Sequence, residues 1–170
     1  MATSSQTPLA GASSSKARLP PRWFMRLFWH LHRGVYRLTG GRLGLWRPKP
    51  NGWGTLRLTT IGRRTGEERN VMVGYFEDGS NLVTMAMNGW GEGEPAWWLN
   101  LQANPDARVD LVGGSRLVTG RAAEGDERTS LWARWQQIDK NLDAYAARRS
   151  CETAVVILEP RVDSGPADCV

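Results

Sequence analysis

Between residues 55 and 159 the chain carries six short runs of strand-like periodicity, parted by turn chemistry, and their order leaves few folds open. The spacing predicts strands over about 55–61, 70–77, 81–87, 107–112, 115–122 and 153–159. Glu77-Asp78-Gly79-Ser80 and Gly113-Gly114-Ser115 supply the turn residues between neighbours. Between the third and fourth runs, PAWWLNLQAN reads as a helix, starting at Pro95 where a helix tolerates proline and stopping before Pro105. A second helix covers about 125–148 with a break near Ile138 to Leu142, acidic early and with Arg148 and Arg149 late, as the helix dipole prefers. The strict alternation of strand and helix that a doubly wound sheet needs is missing. The expected class is therefore mainly β with flanking helices (α+β), a small antiparallel closed or split β-barrel. Whether Val71, Val73 and Tyr75 or Met72, Gly74 and Phe76 face its interior stays open.

A length of 170 residues suits one domain, expected over 22–160. Residues 1–21, rich in Ser, Ala and Pro, read as a flexible tail, as do residues 161–170. The first tail, Ser-rich and without acids, also resembles an organelle transit peptide. In residues 22–38, RWFMRLFWHLHRGVYRL, the apolar Phe24, Leu27, Phe28, Leu31, Val35 and Leu38 recur at helical spacing, with the basic residues mainly opposite. Such an amphipathic helix suits an anionic membrane surface or the protein's own core, and both readings stand. It is too short and too charged to span a bilayer.

Residues 1–66 contain no Asp or Glu and hold 12 of the 22 basic residues, leaving 10 basic against 17 acidic in the remainder. A basic end of this kind meets something anionic. Nucleic acid is not expected, because no helix-turn-helix, zinc-finger or RNA-recognition signature occurs. Nor is a metal: Cys151 and Cys169 fit no ligand spacing, and His30 and His32 point to different sides of a helix. Two cysteines suit a reducing, cytoplasmic setting.

Two segments carry chemistry. In GRRTGEERN, Arg63, Arg64 and Arg69 crowd one short connection with Gly62 and Gly66. Guanidinium forks match phosphate and carboxylate, and flanking glycines let backbone N–H groups approach an anion, so the loop reads as an anion cradle. A solvated hairpin whose Glu67 and Glu68 neutralise the arginines is the alternative. Neither a Walker sequence nor GxGxxG is present. In MAMNGWGEGEPAWWLNLQANP, residues 85–105, three glycines make the segment before the helix pliant, and Trp90, Trp97 and Trp98 offer flat surfaces for a ring system. Adjacent tryptophans cannot share one helix face, so one of Trp97 and Trp98 is expected in the core and the other toward a ligand.

LTTIGRRTGEERN, NGWGEGEPAWWLNLQANP and the late VVILEP together resemble the deazaflavin-dependent nitroreductase family, from about Trp23 to Pro160. The resemblance implies an FMN-binding-like split β-barrel that uses the 5-deazaflavin coenzyme F-420. It places Arg63, Arg64, Thr65, Gly66 and Arg69 at the coenzyme's phosphate and glutamate tail. Met87, Asn88 and Gly89 then lie beside the deazaflavin ring, and Trp97 and Trp98 line the substrate pocket. The implied activity is hydride transfer from the reduced coenzyme to a quinone, an enone or a nitro compound, with Tyr145 or a water supplying the proton. The N-terminal element favours membrane association in some members, which implies a cytoplasmic protein peripheral to the membrane through residues 22–38.

Two departures stand out. Asn88 replaces a lysine found in some members, and DKNLDAYAARRS keeps only Tyr145 where nitroimidazole-reducing members carry several tyrosines, with Asp139 and Leu142 in the other places. Alternatives are an FMN- or FAD-dependent reductase of the same superfamily, or a binding protein for the deazaflavin or a lipid. The oligomeric state stays open, a homodimer through a spare apolar sheet face being one outcome.

Overall fold

In a computed structural model of the protein, residues 44–161 are described. The expected tail 1–21, the amphipathic helix 22–38 and the tail beyond Arg161 lie outside the described residues. Six antiparallel strands form a closed barrel: β1 (Gly54–Ile61), β2 (Glu68–Asp78), β3 (Asn81–Met85), β4 (Asp106–Leu111), β5 (Gly114–Ala122) and β6 (Val155–Pro160). Their order around the barrel is β1-β2-β3-β6-β5-β4, and β1 closes it by pairing with β4 as well as β2. Helix α1 (Ala96–Ala103) joins β3 to β4, while α2 (Gly125–Ile138) and α3 (Leu142–Ala146) join β5 to β6. The expected break near Ile138 to Leu142 is the gap between the last two helices.

Strand alternation sorts the side chains into two cores. Leu56, Leu58, Val73, Tyr75, Leu82, Val109, Val118, Val156 and Leu158 pack with α1 through Trp97, Trp98 and Leu101. Val71, Val73 and Tyr75 thus belong to this barrel cluster, which answers the question left open for β2. Phe76, Val83, Met85, Val155 and Ile157 point the other way and pack under Leu131, Trp135 and Leu142 of the two later helices. Each large side chain so buried contributes about 1.5–3 kcal/mol before its ordering entropy is charged against it. Strand β6 serves both cores, and for that reason VVIL is apolar without alternation.

Tyr75 is 1% exposed, and burial pushes its phenol above its ordinary range. Helix α1 sits close to the barrel because β5 offers Gly120: a Cβ there would lie 2.9 Å from Leu101 Cδ1. Strand β3 ends at Met85, two residues short of the sequence expectation. The apolar run continues, but the Ala86 N–H turns to the Ala154 carbonyl, 2.9 Å away, and the chain leaves the sheet.

Candidate functional site

The arginine loop between β1 and β2 is shaped by its own backbone. Gly62 N–H donates to Glu67 O at 2.8 Å, and Gly66 N–H donates back to Gly62 O at 2.8 Å. Gly66 adopts φ 70°, a left-handed conformation that glycine takes at little cost. Arg69 donates to the Thr65 hydroxyl at 3.2 Å and to Glu67 at 2.8 Å, so two of the expected site residues meet across the turn.

Arg63 is held from elsewhere. Its backbone N–H and its guanidinium both donate to Asn100 Oδ1, at 3.2 and 3.3 Å. Asn100 lies on α1, is 4% exposed, and is itself oriented by donating Nδ2–H to the hydroxyl of the fully buried Thr60 at 3.1 Å. With Arg63 and Arg69 engaged, Arg64 is exposed and has no hydrogen-bond or ion-pair partner among the described residues. A guanidinium presented from a loop pinned at its neighbour is suited to an anion arriving from solvent.

The second segment runs from Ala86 to Pro95. Asn88, Gly89 and Trp90 have φ of 45°, 59° and 60°, three successive left-handed residues. Asn88 Nδ2–H closes this turn on the carbonyls of Glu92 and Gly93, at 2.9 and 3.3 Å. The Asn88 side chain is therefore spent inside its own loop, donating to two backbone carbonyls. Met87 and Trp90 pack on the helix-side core, and the Trp90 ring lies 5.6 Å from the ring of Tyr145 on α3. The Arg148 guanidinium sits 5.7 Å from that tyrosine ring.

Trp97 and Trp98 are 9% and 5% exposed, packed edge to face in the barrel core with ring centroids 6.3 Å apart. Beside the Met87 to Gly89 turn, the aromatic surface is Trp90 with Tyr145. Leu142 is fully buried in the helix-side core, and Asp139 accepts the Asn141 N–H. Helix α1 joins the two loops: the turn segment runs into its first residue, and Asn100 pins the arginine loop roughly 6 Å further along the axis. Two surface concavities of about 350 and 340 Å³ are lined by none of these residues.

Residues 28–160 match the model of a family described as F420H(2)-dependent quinone reductase. The chain belongs to this family. A quinone reductase of that description from Mycobacterium tuberculosis (strain ATCC 25618 / H37Rv) is 33% identical over 137 residues, covering 77% of this chain and 89% of the relative. A solved structure of an F420-H2 dependent reductase (FDR-A) is 26% identical with TM-score 0.54, covering 62% of this chain and 93% of that one. A second solved structure, whose description gives a domain-swapped dimer, is 25% identical with TM-score 0.58, covering 79% of this chain and 99% of that one.

The family makes this protein an oxidoreductase with the deazaflavin coenzyme F420 as its cofactor. The structure has features that suit such a ligand. Glu94 Oε2 is buried without a hydrogen-bond partner among the described residues, as expected where a polar ligand completes the set. Arg64 adds an unmatched cation for an acidic tail. Sequence reading missed Asn100 and Arg149, which reach the two loops across 37 or more positions of chain, and Thr60, which orients Asn100. The only signal for Asn100 was its place in the NLQANP motif.

Proposed function

We propose that the protein reduces a quinone-like acceptor with hydride supplied by the reduced deazaflavin bound between the arginine loop and the Met87 to Gly89 turn. The observation that carries this reading is the pinning of the loop by Asn100, which leaves Arg64 free to meet an anion while fixing it relative to the turn segment. Arg64 is the principal anchor of the tail, with Arg63, Arg69, Thr65 and Gly66 forming the cradle. Backbone groups of Met87, Asn88 and Gly89 orient the ring. Trp90 and Tyr145 wall the acceptor, and Trp97 and Trp98 act from beneath by seating α1. Tyr145 donates the proton that follows the hydride, since its hydroxyl makes no hydrogen bond among the described residues.

A flat acceptor suits two tilted rings better than a bulky one. Quinones head the acceptor list because the relatives' names carry them; enones and nitro compounds follow. Titration of the protein with the oxidised and reduced coenzyme, FMN and FAD, read by Trp fluorescence, tests the reading. Micromolar binding of the deazaflavin alone, lost in an Arg63/Arg64 double alanine variant, is the expected result. Equal binding by the variant would remove the cradle from the site.

Membrane docking through residues 22–38, at the inner face of the cell membrane, belongs to the same proposal. Sedimentation with anionic vesicles should decline as salt rises, and indifference to vesicles at low salt would sink it. A homodimer is proposed with it, supported by the dimer described for one structural relative. Light scattering at the monomer mass across the micromolar range would oppose it.

A further inference from the structure

Arg149 lies between α3 and β6, is 7% exposed, and meets no carboxylate among the described residues. A buried guanidinium is costly unless its donors are matched. Here Nη1 donates to the Ala86 carbonyl at 2.9 Å and the Thr153 hydroxyl at 2.6 Å. Nη2 donates to the Gly93 carbonyl at 2.8 Å and touches Cys151 Sγ at 3.3 Å. Ala86 and Gly93 are the two ends of the turn segment. The next residue, Ser150, donates its N–H and hydroxyl to Glu92 at 3.3 and 2.6 Å. Residues 149 and 150 therefore grip the segment at three points.

What they grip is strained. A tryptophan at φ 60° costs on the order of 1–3 kcal/mol and persists only where its surroundings over-determine it. We propose that Arg149 is a positioning residue: its planar fork fixes the separation of the Ala86 and Gly93 carbonyls and so holds the Met87 to Trp90 turn in the shape that receives the coenzyme's ring. The proposal rests on the reading that this turn borders the ring. The Arg149 N–H also donates to the Ala146 carbonyl at 3.0 Å, so the same clamp ties the turn to the end of the helix that carries Tyr145. Lysine cannot replace it, because an ammonium is a point donor that does not span two carbonyls.

The test compares Arg149→Lys, Arg149→Met and Thr153→Val with two controls, measuring thermal midpoint, Kd for the oxidised coenzyme, and KM against kcat. Val109→Ala removes core packing on β4, across the barrel from β3, and Gly89→Val distorts the turn directly. The expected result is a Kd at least tenfold weaker in the Arg149→Lys and Arg149→Met proteins and about threefold weaker in Thr153→Val. Val109→Ala, even with a comparable fall in midpoint, should stay within twofold. If Arg149→Met does not fold, the lysine and Thr153→Val proteins decide. Binding within twofold of wild type in those two, with Gly89→Val impaired, overturns the clamp and leaves the ring site standing. Unchanged binding in Gly89→Val as well removes the ring site and the clamp together. Equal losses in Val109→Ala and Arg149→Lys would mean general destabilisation and also overturn it.

Discussion

Replacing Asn100 by leucine removes the link between the arginine loop and α1 while keeping the branching and heavy-atom count of the amide side chain. Three hydrogen bonds are lost, two from Arg63 and one to Thr60. The Arg63 donors lie on an exposed loop where water replaces the carbonyl, so each costs about 0.5 kcal/mol. The Thr60 hydroxyl is fully buried, and leaving it without its donor costs about 1–2 kcal/mol. The total is about 2–3 kcal/mol, a fall of roughly 4–12 °C in Tm for a chain of this size. Urea denaturation of the wild type, Asn100→Leu, Thr60→Val and the double variant checks the apportionment. Once Thr60 is valine no buried hydroxyl is orphaned, so the double variant should recover about 1 kcal/mol relative to additivity. Coenzyme affinity should fall with Asn100→Leu and not return in the double variant, because the loop stays unpinned. Additive stabilities, or an Asn100→Leu protein within about 0.5 kcal/mol of wild type, would refute the pinning.

Other outcomes follow from single contacts. Tyr145→Phe keeps the ring against Trp90 and should lower kcat while leaving coenzyme Kd unchanged; unaltered turnover would take the hydroxyl out of the reaction. Gly120→Ala pushes a methyl against Leu101 and should cost about 1–3 kcal/mol in urea denaturation, part of it regained with Leu101→Val; a neutral Gly120→Ala would refute the close seating of α1. Glu127 accepts from Arg121 at 2.6 and 2.8 Å, and those bonds hold its carboxyl below the ordinary carboxylate range. Because the folded-state value is the lower one, the stabilisation is present above that range and lost as pH falls through the folded value. Glu127→Gln should therefore lower Tm slightly at neutral pH and not in acid once the folded-state carboxyl is protonated. The effect stays small because both partners are more than a third exposed, and an equal loss at both pH values would contradict it.

The strands were legible because each carries its own record of burial. Leu56 and Leu58 alternate with Arg57 on β1, and the unbroken VVIL on β6 marks a strand covered on both faces. The end of β3 was not legible, since Ala86 and Met87 continue an apolar run and what stops the strand is a hydrogen bond to Ala154 on a segment 68 residues later. Arg63, Arg64 and Arg69 declared themselves by type and crowding. Asn100 and Arg149 did not, because a side chain's bond to distant backbone leaves no period or spacing to read. Arg149 looked like a partner for a helix dipole, yet α3 ends at Ala146 and its guanidinium turns inward to carbonyls. Trp90 likewise gives no hint of left-handed backbone, a conformation that Gly89 alone suggests.

The place of β6 in the barrel has a consequence for the newborn chain. The last of the described strands to be synthesised is the one that fits between β3 and β5, so both neighbours wait with unpaired edges until residues 155–160 are available. Until then the β1–β2 hairpin and the β4–β5 hairpin can form by local pairing, whereas closure is a late, long-range event. Exposed edges of this kind invite pairing with another chain, and an exchange of the final strand between two copies would satisfy them equally well. Pulse-labelled hydrogen exchange during refolding should find the β1–β2 amides protected before those of β3 and β6; simultaneous protection would argue for a single concerted closure.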